Sequence, residues 1–257
     1  MSLEHALAAI LAAHSAQTIA VSFHDLQTGQ RVELRARETF HAASTMKLAL
    51  LLAALRAPQD QTVRVENRFT SIADGSPYSL DPADDSDPWM YEQIGRTLPL
   101  GKLLERMIVR SSNLATNLVI QRVPAAEVMK LSASLGARDL RVLRGVEDGK
   151  AHAQGLDNTT TAHDLAVLLE AAPPEAIALL EKQEFNEGIP AGLPAGTRVA
   201  HKTGDIARHY HDAALVFPGR GRKPYALVVL TRGFQTKEAG AAAVREISSA
   251  VWRSLPR

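Results

Sequence analysis

The chain has 257 residues, of which 46% are hydrophobic and 22% charged, and its formal net charge is +1. This balance is typical of a globular protein with a sizeable core, and it argues against nucleic acid or an anionic membrane surface as the partner. The complete absence of cysteine excludes disulfides, thiol nucleophiles, cysteine-ligated zinc and iron–sulfur clusters.

The first residues, MSLEHALAAILAAHS, predict a helix with Leu3, Leu7, Ile10 and Leu11 on one face. They do not read as a signal peptide, because the apolar stretch is short and acidic Glu4 lies where a signal is basic. No run is long enough to predict a membrane span. Whether the protein works in the cytoplasm, or is secreted after removal of a signal, stays open.

Strands are predicted at 18–23 and 31–35, joined by a turn, and a nearly all-apolar helix runs from Ser44 to Arg56. The segment 58–97 is rich in loops. Its part SPYSLDPADDSDPWMY combines prolines with aspartates, which we interpret as a solvated surface loop and not a calcium site, because the EF-hand pattern is absent.

Further helices and strands follow, and strands recur only near the end of the chain. Helices are predicted at 100–109, 112–121, 125–135, 162–171 and 236–254, and strands at 197–202, 212–217 and 225–231. Each strand group is too small to stand alone, so we expect one antiparallel sheet that the terminal helices flank. The predicted class is α/β (α+β).

The predicted organisation is a single catalytic domain, 1–257, with two lobes. An α/β lobe would comprise about 1–40 and 190–257, and an all-helical lobe about 41–189. The groove between the lobes is the expected site.

Three short motifs occur in a fixed order along the chain. They are Ser44-Thr45-Met46-Lys47 at a helix start, Ser111-Ser112-Asn113 before a second helix, and Lys202-Thr203-Gly204 on a strand. Each is weak alone, since a serine near a helix start is usually a cap and a lysine usually a solvated cation. Their joint occurrence indicates a serine nucleophile at Ser44.

The chemistry of these residue types supports that interpretation. Ser44 and Lys47 are three residues apart and share a helix face, and a buried lysine near another cation, Lys202, can lose its charge and act as a base. The hydroxyl of Ser111 can relay a proton, because it is both donor and acceptor, and Asn113 can fix a substrate amide.

The third motif has a binding role in this scheme. Lys202 and Thr203 can hold a substrate carboxylate, and Gly204 lets the strand edge approach the substrate closely.

The chain resembles the class A β-lactamase-like family of penicillin-recognising serine hydrolases. The segments that carry the resemblance are FHAASTMKLALLLAAL, RSSNLATNLVI, NTTTAHDLAVLL and IPAGLPAGTRVAHKTG. The resemblance spans essentially the whole chain and implies a β-lactamase acting through an acyl-enzyme. It also implies an oxyanion hole formed by the backbone N–H groups of Ser44 and Asp205.

Three departures from the family pattern stand out. Ser112 replaces the aspartate of the second motif, which removes a buried carboxylate. Asp205 follows the third motif and could disfavour anionic substrates unless it points away or pairs with Arg208. The segment 144–151 corresponds to the family's omega loop. In it Glu147 lies three residues after an arginine instead of two, and Ala151 replaces the asparagine that assists the family's deacylation base.

Glu147 is therefore either that base or a solvated turn residue, and slow β-lactam turnover is the favoured expectation. Alternatives are a D-alanyl peptidase or esterase of the same fold, and a penicillin-binding sensor that acylates and stalls. A zinc hydrolase using His209 and His211 is disfavoured, because no third ligand completes a motif. We expect a small-molecule substrate, no cofactor, no metal and a monomer.

Overall fold

The computed structural model describes residues 2–14, 17–219 and 221–256. Its centre is a five-stranded sheet built from both ends of the chain. The strands are β1 (Thr18–Asp25), β2 (Arg31–Leu34), β3 (Phe40–His41), β4 (Thr62–Arg64), β5 (Phe69–Thr70), β6 (Pro77–Tyr78), β7 (Thr97–Pro99), β8 (Thr159–Thr160), β9 (Arg198–Ile206), β10 (His209–Phe217) and β11 (Tyr225–Arg232).

The strand order in the sheet is β2-β1-β11-β10-β9, and all neighbours are antiparallel. Among the residues that the structure describes, the remaining strands form three two-stranded ribbons, β3-β8, β4-β7 and β5-β6. Strand β9, which carries the third motif, is an edge strand, and it packs against the turn that carries Ser44. The antiparallel sheet predicted from the sequence is confirmed.

In the described part of the chain, ten helices surround and extend the sheet. They are α1 (Leu3–Ala13), α2 (Met46–Ala54), α3 (Pro88–Glu92), α4 (Leu100–Val109), α5 (Asn113–Arg122), α6 (Ala125–Leu135), α7 (Gly149–Ala153), α8 (Ala162–Glu170), α9 (Pro174–Leu180) and α10 (Lys237–Ser254). None of these helices is both long and apolar enough to cross a membrane.

Alternation along the strands divides the core into two layers. Val21, Leu227 and Val229 point to one face and pack with helices α1 and α10, whereas Ala20 and Val228 point to the other. On that second face α8 covers the sheet, and the same cluster continues into α2, α4, α5 and α6. Helix α2 is buried on all sides, as its sequence predicts.

Two sequence expectations need correction here. The third-motif strand does not end at Lys202 but continues to Ile206, and β10 begins at His209 instead of Asp212, so a tight hairpin lies directly after the motif. The acid-rich segment before α3 is not simply solvated, because Asp85 is only 8% exposed and Asp87 only 1%. The expected division into two lobes stays a prediction.

Candidate active site

Ser44 lies in a short 3₁₀ turn, Ala43–Thr45, immediately before α2. The backbone of Ala43 has a positive φ of 44°, a region that residues other than glycine rarely adopt. The amide of Ala43 donates to His41 Nδ1 at 3.0 Å, and Thr45 Oγ1 donates to the carbonyl of Ala42 at 2.5 Å. These contacts hold the partly exposed Ser44 at the helix start.

Lys47, on the first turn of α2, is fully buried and donates to three acceptors. Its Nζ lies 2.7 Å from the carbonyl oxygen of Ser111, 3.2 Å from Ser111 Oγ and 2.9 Å from Asn113 Oδ1. Burial lowers the pKa of Lys47 to about 7, although the charges of Asp85 and Glu147 oppose the decrease. At neutral pH a large fraction of Lys47 is therefore uncharged and able to take a proton.

Ser111 lies between two lysines. Lys202 Nζ donates to Ser111 Oγ at 3.0 Å and to the carbonyl of its neighbour, Thr203, at 2.9 Å. Burial, and then the charge of Lys47, hold the pKa of Lys202 well below its usual value. Ser111 itself has a positive φ of 56°, so the site again stores backbone strain beside a reactive group.

Glu147 reaches this cluster from the omega loop. Asn113 Nδ2 donates to Glu147 Oε1 at 2.7 Å, while Asn113 Oδ1 accepts from Lys47, so one amide connects the lysine and the carboxylate. Glu147 is half-buried, and burial raises its pKa despite the hydrogen bonds from Asn113 and the backbone of Asp81. The backbone of Glu147 has a positive φ of 60°.

The omega loop is held by two amide side chains. Asn117, on α5, accepts from Val146 N at 2.7 Å and donates to Val146 O at 3.0 Å. Asn158 binds the backbone of Arg144, and Arg144 Nη2 donates to Asp157 at 2.7 Å.

The two hydrogen bonds between Asn117 and the backbone of Val146 form a clamp on the omega loop, and Gly145 beside this clamp must be small. A Cβ atom at Gly145 would lie 2.4 Å from Asn117 Oδ1. Glycine therefore permits the close approach that presents Glu147 to the cluster.

The third motif lines the other wall of the site. A Cβ atom at Gly204 would lie 3.2 Å from Ser44 N, so the glycine lets β9 approach the turn that carries Ser44. The ion-pair partner of Asp205 is Lys237 and not Arg208. Asp205 Oδ2 lies 3.3 Å from Lys237 Nζ, and Arg208 donates instead to the carbonyl of Gly233 at 3.3 Å.

A cleft of about 240 Å³ opens onto Ser44, Ser111 and Asn113. Its described lining does not include Arg208, which was expected to bind substrate, but it does include Lys237, which was not. The lining residues are Ser44, Asp84, Ser86, Ser111, Asn113, Phe185, Glu187, Thr203, Asp205, Tyr210 and Lys237.

The histidines considered as zinc ligands make other contacts. His211 Nε2 lies 2.9 Å from the carbonyl of His41, and His211 Nδ1 accepts from Thr231 N at 3.1 Å. His209 Nδ1 donates to the carbonyl of Ala207. Within residues 2–14, 17–219 and 221–256, no three His, Asp or Glu side chains are arranged to hold a metal ion.

A carboxylate does lie behind the second motif, contrary to the expectation drawn from Ser112. Asp85 Oδ2 accepts from Asn113 N at 2.9 Å, Leu114 N at 2.8 Å and Ser112 Oγ at 3.3 Å. Asp85 was not predicted as a site residue, because it comes from a distant, proline-rich loop. Its only sequence signal was the clustering of aspartates there.

A serine at a helix start with a buried lysine, a second serine between two lysines, and a nearby carboxylate define a serine β-lactamase-like hydrolase in a mixed α/β fold. The chain belongs to the beta-lactamase enzyme family, whose sequence profile matches residues 2–255. The resemblance stated from the sequence motifs is thereby confirmed.

Individual relatives agree with this assignment. A β-lactamase of Streptomyces fradiae is 28% identical over 247 residues, which cover 90% of this chain and 78% of the relative. An ancestral class A β-lactamase superposes with a TM-score of 0.80 at 26% identity, covering 99% of this chain and 100% of that one.

A mutant of PBP-A, solved as an acyl-enzyme complex with penicillin G, shares the fold. It superposes with a TM-score of 0.79 at 24% identity and covers 98% of this chain and 95% of its own.

Proposed function

We propose that the protein hydrolyses β-lactams through a covalent acyl-enzyme on Ser44. The observation that carries this proposal is the hydrogen-bonded path from Lys47 through the amide of Asn113 to Glu147. It joins the residue suited to activate the serine with the residue suited to activate water. A protein that only acylates needs the first of these groups but not the second.

In the acylation step, uncharged Lys47 takes the proton of Ser44 as Oγ bonds to the lactam carbonyl carbon. The backbone N–H groups of Ser44 and Asp205 would receive the developing oxyanion. The carbon–nitrogen bond then breaks, and the ring nitrogen accepts the proton of Ser111, which Lys47 replenishes. The contact of 3.2 Å between Lys47 Nζ and Ser111 Oγ supports this route.

In the deacylation step, Glu147 takes a proton from a water molecule whose oxygen attacks the ester carbon. The ester bond breaks, Ser44 Oγ receives the proton that Glu147 removed from water, and the ring-opened acid leaves. The hydrogen bond from Asn113 stabilises the ionised, basic form of Glu147, which burial alone would disfavour.

Lys202 and Thr203 are proposed to hold the substrate carboxylate. Burial, and then the charge of Lys47, lower the pKa of Lys202, and an incoming carboxylate would favour its charged form. Anionic substrates would therefore bind by pairing with Lys202, whose charged form they stabilise.

A second candidate is a penicillin-binding protein that acylates and turns over slowly. It is favoured by Ala151, which is fully buried and carries no polar side chain where the resembled family has an asparagine to assist the water. A D-alanyl peptidase or esterase would use the same acylation residues on a different acyl donor. Both alternatives keep Ser44 as the nucleophile.

Mass spectrometry of the intact protein mixed with a penicillin distinguishes these functions. A β-lactamase gives an adduct on Ser44 that disappears with product release, and a stalled binder gives an adduct that persists. Ser44→Ala should remove the adduct and lower turnover on the order of 10⁶-fold. Glu147→Gln should let the adduct accumulate, with acylation nearly unchanged. An adduct mapped to another residue would overturn the mechanism.

The assignment of Lys202 has its own test with paired substrates. Lys202→Ala should weaken the binding of a penicillin that carries a carboxylate more than the binding of the corresponding neutral ester. Lys47→Ala should slow acylation by both substrates. Equal losses on the two substrates for both variants would show that Lys202 does not hold the carboxylate.

A further inference from the structure

We propose that Asp85 is a positioning residue that holds Ser111 and Asn113 in place for the reaction at Ser44. The inference rests on the proposed function and names a group that none of the three motifs contains. Asp85 lies in the loop between β6 and α3, and its side chain is buried against the start of α5.

The contacts of this carboxylate concentrate on one turn of backbone. The first two amides of α5, those of Asn113 and Leu114, both donate to Asp85 Oδ2. Such amides have no partner within their own helix, and Ser112 Oγ already serves the amide of Ala115. Serine and aspartate together therefore complete a helix cap that neither provides alone.

The cap determines where the reactive groups point. Ser111 precedes it with a positive φ, a conformation that persists only where surrounding contacts impose it. Asn113 is the first residue of α5, and its amide side chain lies between Lys47 and Glu147. Loss of the cap would let both groups move, and misplacement by about 1 Å costs up to about 10²-fold in rate.

The loop that delivers Asp85 is itself fixed. Buried Asp87 forms an ion pair with Arg106 of α4, and Ser86 Oγ donates to the carbonyl of Arg110. Asp85 also accepts from Tyr91 OH at 3.2 Å and from Asp87 N at 3.0 Å. The position of the Asp85 carboxylate is thus fixed by contacts of its own loop with α3 and α4 as well as by α5.

The charge of Asp85 has a separate consequence. The titratable groups that face Lys47 are Lys202 from β9, Glu147 from the omega loop and Asp85, and the two carboxylates oppose the decrease that burial causes in the pKa of Lys47. Asparagine at position 85 keeps the shape but removes the charge. In Asp85→Asn the pKa of Lys47 should fall, and the acidic limb of the acylation rate should move to lower pH.

The test compares variants of the full chain in acylation by a penicillin, followed by stopped-flow and mass spectrometry. Asp85→Ala should slow acylation by about 10- to 100-fold. Adding Ser112→Asp to it should recover much of the loss, because position 112 places a carboxylate beside the same amides. Glu92→Gln, which alters an exposed carboxylate on α3, is the matched control and should be silent.

Isotope-labelled lysine NMR on Asp85→Asn measures the Lys47 pKa directly, without any substrate. A folded Asp85→Ala variant that acylates within about twofold of the native rate, or an unchanged Lys47 titration in Asp85→Asn, would overturn the proposal. If Asp85→Ala does not fold, Asp85→Asn alone decides. Absence of any adduct on the native protein would instead count against the β-lactam substrate and leave the Lys47 titration valid.

Discussion

Gly145→Ala isolates the contribution of the omega-loop clamp. The added methyl group would lie 2.4 Å from Asn117 Oδ1 and 2.8 Å from Asn117 Cγ. Ordinary contact distances require a displacement of about 1 Å, which the hydrogen bonds of Asn117 with Val146 cannot accommodate at their present lengths. No φ strain enters, because Gly145 does not have a positive φ.

The magnitude follows from those two hydrogen bonds. Leaving a buried donor or acceptor without a partner costs about 1–3 kcal/mol each, so we expect roughly 2–4 kcal/mol of destabilisation after partial relaxation. Displacement of Val146 also moves Glu147, its neighbour in the chain. Acylation should change little, whereas deacylation should slow by about 10²-fold, as for other misplaced catalytic groups.

Urea unfolding and the lifetime of the penicillin adduct measure the two effects. Gly149→Ala is the matched control, because a Cβ atom there meets nothing within 4 Å and Gly149 begins α7. It should be neutral or slightly stabilising. If the two variants have the same unfolding free energy and the same adduct lifetime, the clamp does not position Glu147.

Three further outcomes are expected. The acylation rate should fall as the pH drops below about 7, because buried Lys47, with a pKa of about 7, is then protonated and cannot take the serine proton. Single-turnover rates across pH measure this effect, and a rate that does not change with pH would exclude Lys47 as the base. Lys237→Met should raise KM for anionic penicillins by no more than about fivefold, because solvent screens the exposed Lys237–Asp205 pair. An equal increase in KM for a neutral ester would exclude a role for the charge of Lys237. Gly204→Ala should slow acylation about tenfold, since the added methyl group would crowd Ser44 N. Stopped-flow acylation rates check this prediction, and a rate equal to that of the native protein would show that the turn carrying Ser44 can shift to make room.

Ser44→Ala, tested against both a penicillin and a D-alanyl ester, separates the substrate question from the nucleophile question. Loss of reaction with both donors is expected, because every proposed function passes through the same hydroxyl.

The sequence by itself determined features that depend on short spacings. Helices α4 and α6 have the predicted bounds, 100–109 and 125–135, because apolar periodicity is a property of neighbouring residues. The placement of Ser44 and Lys47 one turn apart follows from the same local geometry. The three motifs together were enough to predict the family.

Only the tertiary structure decided which distant groups complete the site. The omega-loop sequence left Glu147 either in the site or in solvent, and the clamp at Asn117 brings it within 2.7 Å of Asn113. Asp85 looked like part of a solvated loop, yet it caps α5, and Asp205 pairs with Lys237 instead of Arg208. Such contacts join residues far apart in the chain, so packing selects them, and no local pattern encodes which buried donor a particular carboxylate will meet.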